Sequence, residues 1–365
     1  MTLPAEWHRQ AFVQLTWPHR LTDWADVLDE ALLCFYALAR EIALREQLLI
    51  VAQDMEEARL QLESALDGRV PETERIPEQV LAFRIAYAEC DTNDTWARDH
   101  AFISCIHEGN VLLMNFRFNG WGMKFPANHD NLINGCLQCQ GVIDDLYAQT
   151  TQGRLPAASY VDCLDFVLEG GSIESDGEGT LMTTTSCLLA PNRNEPMTRT
   201  DIEKQLKQLF GLKRVLWIEH GQVSGDDTDE HIDTLARFCP GQVIAYVATD
   251  DKKHPDYESL KRMEQQLKSF RTIEGKPYRL VPLPAADIID DQEGYPQPAT
   301  YANFLILNNS VLYPTYRQPE KDELARQQLA QALPGYELVA IDCNVLVGQH
   351  GSLHCSTMQY PLPSS

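Results

Sequence analysis

Apolar residues recur at helical spacing in the first part of the chain. Between Trp24 and about Gln47 they lie three or four positions apart, as on the buried face of an α-helix: Val27, Leu28, Ala31, Leu32, Phe35 and Tyr36. The short apolar run LLIVA that follows, residues 48–52, predicts a buried strand. A polar-rich segment from Asp54 to about Leu66 predicts a second helix. The pattern therefore alternates helix and strand from the start.

The next part of the chain predicts mainly strands. VLAFRIAYAE, residues 80–89, predicts a strand that leads into DTNDTWARD. AFISCIHEGNVLLMNF predicts a hairpin that turns at residues 108–110. CLDFVLEGG, residues 163–171, predicts a buried strand that ends in a glycine turn, and TLMTTTSCLL, residues 180–189, predicts the hairpin partner of that strand.

The same order of elements returns in the second half of the chain. Thr200 and Glu203 are spaced as a capping box for the helix IEKQLKQLF, and KRVLWIE follows as a strand. A hairpin, a helix and a strand then recur in FLILNNSVLYP, KDELARQQLAQAL and YELVAIDC. Because no low-complexity linker separates these alternating segments, we expect one α/β domain over residues 1–365.

Charge and composition narrow the range of partners. The 365 residues include 53 Asp and Glu against 30 Lys and Arg, a formal net charge of −23. No basic patch dominates, which argues against a nucleic acid or an anionic membrane as partner and suits a small cationic substrate. The ten cysteines are scattered, and we find neither a leader pattern nor an apolar run of membrane-spanning length. We therefore expect a cytoplasmic protein with no membrane partner, and a homo-oligomer is compatible with the sequence.

Four polar clusters lie just after predicted strands, where a scaffold usually displays its chemistry. They are WARD at residues 96–99, LEGGSIESDGEGT at 168–180, GDDTDEHID at 225–233 and GQHGSLHCSTMQYP at 348–361. Each cluster alone has an ordinary interpretation: a surface ion pair, a glycine turn, a solvated acidic loop or weak cation site, and a chance His-Cys neighbour. Together they supply the components for breaking a carbon–nitrogen bond through a thiol.

A thiol mechanism gives these residues complementary tasks. Cys355 would attack as the thiolate, which needs a nearby positive charge or a favourable turn. His231 would deliver a proton to the departing nitrogen and later activate water, and Glu169 is available to fix its tautomer. If the substrate is a guanidinium, Asp99 and Asp233 suit bidentate hydrogen bonds to its planar fork. The bound cation would itself lower the pKa of the thiol.

In their order along the chain, these motifs resemble those of the agmatine deiminases, which belong with the bacterial-type peptidylarginine deiminases in the guanidine-modifying superfamily. The similarity begins at LPAEWHRQAFVQLTWPH and continues through WARD and FNGWG to GSLHCSTMQYP. It also takes in LEGGSIESDGEGTLMTTTSCLLAPNRN, GDDTDEHIDTLARFCPG and NFLILNNSVLYP, and so covers almost the whole length. The resemblance implies a pseudo-fivefold α/β propeller of strand–strand–helix–strand units around a central active-site channel.

The resemblance also implies a reaction and a role for each catalytic residue. Cys355 is the implied nucleophile and His231 the implied general acid and base, supported by Glu169. Asp99 and Asp233 are the implied guanidinium ligands. The implied reaction is hydrolytic deimination of agmatine to N-carbamoylputrescine and ammonia through a covalent S-alkylthiouronium, with no metal and no organic cofactor. That product points to putrescine and polyamine synthesis or to agmatine catabolism.

The part of the site that holds the substrate's tail departs from the family pattern. By resemblance, Trp96 and Asp227 lie near the aliphatic chain and the distal amine. Gln349 and His350 stand where many members have a run of glycines, and Glu174 stands where His is commoner. We expect His350 and Glu174 to alter the substrate end of the pocket. An arginine residue of a peptide, which shares the guanidinium head, is therefore the alternative substrate.

Interpretations from other classes of protein stay open. A metal-dependent hydrolase or metal-binding module would use the acidic loop at residues 225–233 as ligands, but no second histidine lies at zincin spacing and there are no paired CxxC motifs. Cys136 and Cys139 form a lone CxxC, which we interpret as structural. A non-catalytic homologue would be expected to have lost a member of the constellation, yet all five chemical positions are present.

Overall fold

The computed structural model of the protein describes residues 1–153 and 158–363, in which strands and helices alternate along the chain. The strands of this part are Gln10–Thr16 (β1), Gln47–Ala52 (β2), Ile85–Glu89 (β3), Ile103–His107 (β4), Asn110–Arg117 (β5), Ser159–Val167 (β6), Ile173–Ser175 (β7), Thr180–Thr184 (β8), Arg214–Ile218 (β9), Ala236–Cys239 (β10), Val243–Ala248 (β11), Arg279–Pro284 (β12), Ile289–Asp290 (β13), Pro296–Gln297 (β14), Leu305–Ile306 (β15), Ser310–Thr315 (β16), Glu337–Asp342 (β17) and Thr357–Pro361 (β18).

Helices connect most of these strands. The α-helices of the described residues are Leu28–Ala43 (α1), Met55–Glu63 (α2), Glu78–Arg84 (α3), Ala97–His100 (α4), Gly120–Met123 (α5), Ile133–Gln140 (α6), Val142–Thr151 (α7), Thr185–Leu188 (α8), Arg199–Phe210 (α9), Tyr257–Ser269 (α10), Pro319–Ala332 (α11) and Asn344–Val347 (α12). Short 3-10 turns lie at Ala25–Val27, Glu72–Glu74, Asp130–Leu132, Gly170–Ser172 and Ile232–Thr234.

Across the two described ranges, five sheets share one topology. In each, an antiparallel pair of strands is extended by a third strand that runs parallel to the second after a helical connection. Four of these sheets use consecutive strands: β4–β5–β6, β7–β8–β9, β10–β11–β12 and β15–β16–β17. The fifth sheet joins the two ends of the chain, because β18 pairs antiparallel with β1. Strand β1 pairs parallel with β2, and β2 in turn pairs parallel with β3. The predicted α/β class is confirmed.

The amphipathic segments fold as their patterns predict. Helix α1 buries the apolar stripe that runs from Ala31 through Phe35 to Ile42, and β2 follows it as a buried strand. Helix α2 begins after Asp54, whose carboxylate accepts a hydrogen bond from the backbone N–H of Glu57. The hairpin β4–β5 turns at residues 108–109, as predicted. Among the described residues, we find no helix with the length and apolarity of a bilayer span.

Two strand predictions are wrong in detail. The run at residues 80–89 is helical in its first half, since α3 follows Pro77 and only Ile85–Glu89 forms a strand beside β2. A continuous apolar run cannot be assigned to helix or strand from periodicity alone. The hairpin partner of β8 is β7, whereas β6 pairs with β5; residues 185–188 form helix α8, because the Thr184 hydroxyl accepts from the Cys187 N–H.

The predicted capping box lies two residues away from the observed one. Helix α9 begins at Arg199, so Thr198 is its N-cap: the Thr198 hydroxyl accepts from the Asp201 N–H, and the Asp201 carboxylate accepts from the Thr198 N–H. Thr200 therefore lies inside the first turn. Glu203 instead accepts a hydrogen bond from the Trp217 indole at 3.0 Å, which ties the helix to β9.

Candidate active site

Short turns that precede the first strand of each antiparallel pair carry the site residues. They are Asp99 before β4, Glu169 before β7, His231 and Asp233 before β10, Asn303 before β15, and His354 and Cys355 before β18. The five turns thus take the same place in five sheets of equal topology. Residues more than 250 positions apart meet there, as when the Arg98 N–H donates to the Cys355 carbonyl at 3.1 Å.

Asp99 is buried and held by two donors. The Trp121 indole donates to Asp99 Oδ2 at 2.9 Å, and the Gly171 N–H donates to Oδ1, also at 2.9 Å. Burial raises the pKa of Asp99 to about 6, and the nearby carboxylates of Asp233 and Glu169 act in the same direction. The carboxyl is therefore fixed in position, and a cation beside it would favour its ionised form.

His231 lies between two carboxylates. Its Nδ1 is 3.7 Å from Asp99 Oδ1 and its Nε2 is 3.9 Å from Glu169 Oε2, and neither nitrogen has a hydrogen-bond partner of normal geometry among the described residues. Burial alone would lower the pKa of His231, but Asp99, the Cys187 thiol and Glu169 raise it well above the usual value. A protonated imidazole of this kind is suited to deliver a proton to a leaving group.

Glu169 is held mainly by an arginine that the sequence analysis did not single out. Arg193 Nε donates to both oxygens of Glu169, at 3.0 and 3.1 Å, Nη1 donates to Asp229 at 2.5 Å, and Nη2 donates to the Thr228 carbonyl at 2.9 Å. The expectation that Glu169 fixes the tautomer of His231 stays a prediction, because 3.9 Å is an ion-pair distance and not a hydrogen bond. The motif APNRN, quoted for the resemblance, was the available signal for Arg193.

Asn303 holds the turn that carries Cys355, the nucleophile predicted from the sequence. Its Oδ1 accepts from the backbone N–H groups of His354, at 2.8 Å, and Cys355, at 3.2 Å, and lies 3.4 Å from Cys355 Sγ. Burial raises the pKa of the Cys355 thiol well above its usual value, and the negative charges of Asp233 and Asp99 raise it further. Formation of the thiolate therefore needs a positive charge brought from outside these side chains.

Asp233 has one oxygen occupied and one free. Its Oδ2 is 2.7 Å from His354 Nδ1, whereas its Oδ1 is buried without a hydrogen-bond partner. Burial would raise the pKa of Asp233, but the hydrogen bond and charge of His354 outweigh this and lower it. An ionised carboxylate with a free buried oxygen needs a donor, so a ligand with N–H groups fits this position.

An open cavity leads to the thiol, and together with its mouth it encloses about 450 Å³ of empty space. Its walls are aromatic and acidic, and of the described residues that line it none is Lys or Arg. The lining residues are Asp23, Asp94, Trp96, Asp99, Trp121, Phe125, Asp227, Thr228, Gln349, His350, Gly351 and Cys355. Burial raises the pKa of Asp227 to about 6, and neighbouring Asp226 adds to this. Shape and charge therefore suit a slender cation with an apolar middle.

Of the two residues predicted to alter the substrate end of the pocket, His350 lies there and Glu174 does not. His350 does line the cavity, and its Nδ1 lies 3.2 Å from the Gly225 carbonyl. Glu174, however, accepts from Arg237 Nε at 3.0 Å and from the Phe238 N–H at 2.9 Å. The side chain of Glu174 therefore forms a buried ion pair with Arg237 and does not line the cavity at its substrate end.

The acidic loop does not assemble the metal site weighed from the sequence. In this loop Asp226 accepts from Thr228 and from the Glu230 N–H, and Asp229 pairs with Arg193. Over the residues that the structure describes, one group could ligate a metal ion, with ligand atoms within 4.8 Å of one another: Glu169, Cys187 and His231. Arg193 already donates to both oxygens of Glu169, and its positive charge disfavours a metal ion at this group. The three side chains are therefore better suited to proton transfer than to metal binding.

Comparison with known proteins places these features in a wider group. A family model described as Porphyromonas-type peptidyl-arginine deiminase matches residues 2–361. A Vibrio parahaemolyticus protein provisionally named agmatine deiminase is 31% identical, with 98% of this chain and 96% of the relative covered. The agmatine deiminase of Medicago truncatula is 29% identical over 98% of this chain and 96% of its own.

Solved structures give the same result. Agmatine deiminase of Campylobacter jejuni, solved with substrate bound, is 32% identical with a TM-score of 0.84, over 100% of this chain and 97% of that one. A Porphyromonas gingivalis protein provisionally named arginine deiminase is 46% identical with a TM-score of 0.86, over 98% of both chains. The resemblance drawn from the sequence motifs is thus confirmed.

Proposed function

We propose the reaction of this chain from its family: it belongs to the Porphyromonas-type peptidyl-arginine deiminase family, and within that family the site favours hydrolysis of agmatine to N-carbamoylputrescine and ammonia. The observation that carries this is Asp233 Oδ1, an acceptor that is buried beside the thiol with no hydrogen-bond partner among the described residues. A planar guanidinium between Asp99 and Asp233 would supply the missing donor. Among the described residues that line the cavity, none is Lys or Arg.

The geometry supports a two-stage hydrolysis. The guanidinium charge offsets the carboxylates that raise the thiol pKa, so Cys355 attacks the guanidinium carbon as the thiolate. His231, which is held protonated by its acidic neighbours, gives a proton to the departing nitrogen, and ammonia leaves an S-alkylthiouronium. His231 then takes a proton from water, which attacks the same carbon. Collapse of that adduct expels the Cys355 thiolate, and loss of the remaining hydroxyl proton to solvent leaves the carbamoyl product.

Acidic groups around the cavity favour an amine at the far end of the substrate. Asp227 reaches the lining together with Asp23 and Asp94, and Trp96 supplies an apolar wall for a short methylene chain. A free α-carboxylate would meet these acids with no arginine to pair it, which disfavours free arginine. A peptidyl arginine is the second candidate, because some similar structures carry arginine and peptidyl-arginine deiminase names.

The proposed assembly is a pseudo-fivefold propeller in one domain, residues 1–365. Its support is the repetition of one topology in five sheets of the described chain, the same turn of each sheet bearing a site residue, and the pairing of β18 with β1 that joins the chain's ends. The central channel would then be the cavity that reaches Cys355. The ten cysteines are unpaired thiols, which supports the cytoplasm as the proposed location. The proposed role in putrescine formation follows from the product, N-carbamoylputrescine.

The test is ammonia release from agmatine, free arginine and a blocked arginyl peptide, with wild type beside Cys355→Ala. Release from agmatine, lost in the variant, supports both the thiol mechanism and the amine tail. Release only from the peptide keeps the mechanism and moves the substrate to the second candidate. Equal release by wild type and the variant would contradict the role of Cys355.

A further inference from the structure

We propose that His354 is a positioning residue: it holds one oxygen of Asp233 so that the other faces the guanidinium, and Glu6 holds His354 in turn. The inference rests on the proposed function only for the identity of the ligand. Its structural basis is a chain of short contacts from the N-terminal segment, through the C-terminal turn, to the acid that we assign to substrate binding.

His354 lies between two carboxylates, and all three side chains are buried. Its Nδ1 is 2.7 Å from Asp233 Oδ2 and its Nε2 is 2.8 Å from Glu6 Oε2. Each distance is that of a hydrogen bond to a charged group, so each contact contains one hydrogen. The three side chains therefore share two hydrogens and carry one net negative charge, wherever each hydrogen resides. Both nitrogens of the ring are occupied, which leaves it no freedom to rotate.

Glu6 is fixed from its other sides. Its Oε1 accepts from the Ile306 N–H at 2.6 Å, and its Oε2 also accepts from Arg237 Nη2 at 2.5 Å. Arg237 in turn donates to Glu174 at 3.0 Å and to two backbone carbonyls. Burial would raise the pKa of Glu6, but Arg237 and His354 lower it. Glu6 is thus an ionised, immobile acceptor for His354 Nε2.

The far end of this chain of contacts is the free oxygen of Asp233. With Oδ2 bound to His354 Nδ1, rotation of the carboxylate would break a buried hydrogen bond. Oδ1 therefore keeps its orientation, in which it has no hydrogen-bond partner among the described residues and is free to accept from a ligand. Asn303 fixes the same turn, because its side chain binds the His354 and Cys355 N–H groups and donates to the Asp233 carbonyl at 3.4 Å. The nucleophile and the guanidinium ligand therefore share one support.

Two isosteric variants separate the two nitrogens of the ring. In His354→Asn the amide N–H₂ takes the place of Nδ1 and can still donate to Asp233, whereas in His354→Gln it takes the place of Nε2 and reaches only Glu6. We would measure agmatine binding by titration calorimetry to Cys355→Ala protein with His354 intact, Asn or Gln, so that no turnover occurs. Thermal denaturation of each protein shows whether it is folded.

The expected result is an affinity within about threefold of the parent for Asn and a loss of about 10- to 100-fold for Gln, the range for one buried charged hydrogen bond. Equal affinities for Asn and Gln, whether unchanged or equally weakened, would overturn the proposal. If the parent binds no agmatine, the proposed function fails separately. Crystal structures of the two variants then test this inference. The proposal requires that the Asp233 carboxylate keep its orientation in His354→Asn and turn in His354→Gln, and any other result would contradict it.

Discussion

Gly171 offers a direct test of how tightly the catalytic side chains approach one another. A Cβ at this position would lie 2.7 Å from His231 Nδ1, 2.9 Å from Asp99 Oδ1 and 3.1 Å from Asp233 Oδ2. Its φ is outside the left-handed region, so alanine brings no backbone strain and acts only through these contacts. The methyl group of Gly171→Ala would occupy the space where three polar groups of the site converge.

The size of the effect follows from the distances. A carbon in ordinary contact lies about 3.5 Å from its neighbours, so His231 and Asp99 must each retreat by roughly 0.6–0.8 Å. A misplacement near 1 Å costs about 100-fold in rate, and overpacking costs about 1–3 kcal/mol of unfolding free energy. We therefore expect kcat/KM for agmatine to fall by about 100-fold, and Tm by roughly 1–4 °C for a chain of this size.

The matched control is Gly135→Ala in helix α6. No described atom lies within 4 Å of a Cβ there and its φ is outside the left-handed region, so alanine should leave kcat/KM unchanged and raise the unfolding free energy by about 0.5–1 kcal/mol. Steady-state kinetics and calorimetry on both variants give the answer. Wild-type kcat/KM in Gly171→Ala, or an equal loss in the two variants, would refute the proposed convergence at Gly171.

Three further predictions concern charge. Burial raises the pKa values of Asp99 and Asp227 to about 6, so both bind protons as pH falls through that value; kcat/KM for agmatine should decline below about pH 6, and a pH–rate profile flat down to pH 4 would contradict this. Since burial and the adjacent acids raise the thiol pKa, iodoacetamide should alkylate Cys355 slowly at neutral pH, and Asp233→Asn should accelerate it at fixed pH; mass spectrometry of the labelled peptide checks this, and no acceleration would exclude the electrostatic cause. Arg193→Met leaves two carboxylate partners without their cation, one of them fully buried, and should lower the unfolding free energy by about 3–5 kcal/mol in urea titrations, against a smaller loss for Arg193→Lys.

The order of motifs along the chain predicts the family and the α/β class, whereas individual contacts depend on how the five sheets meet. Cys355 and His231 are recognisable because few structural roles need those residue types in glycine-rich or acidic turns. Arg193 looks like a surface residue of a loop, and only the packing of that loop on Glu169 shows its role. Asn303 is similar: its amide matters because the turn before β15 meets the turn before β18.

Glu174 is a residue for which the local sequence predicted the wrong surroundings. It stands where His is commoner in the family that the chain resembles, and this departure suggested that it alters the substrate end of the pocket. Strand geometry sends alternate side chains to opposite faces, and Arg237, from another sheet, was invisible to a local pattern. The helix at residues 78–84 was missed for a related reason, because a continuous apolar run has no periodicity that separates helix from strand.

In the proposed mechanism, the acidic site couples recognition of the substrate to activation of the thiol. Asp99 and Asp233 would attract a guanidinium, and their charges add to burial in raising the pKa of Cys355 well above its usual value. A unit charge about 4 Å away is worth about 4 kcal/mol at an effective dielectric constant of 20, or about three pKa units. A guanidinium close to the sulfur would therefore lower the pKa of the thiol by about three units when it binds. A neutral isostere of the substrate would lack both effects, which makes the positive charge itself the feature that this site selects.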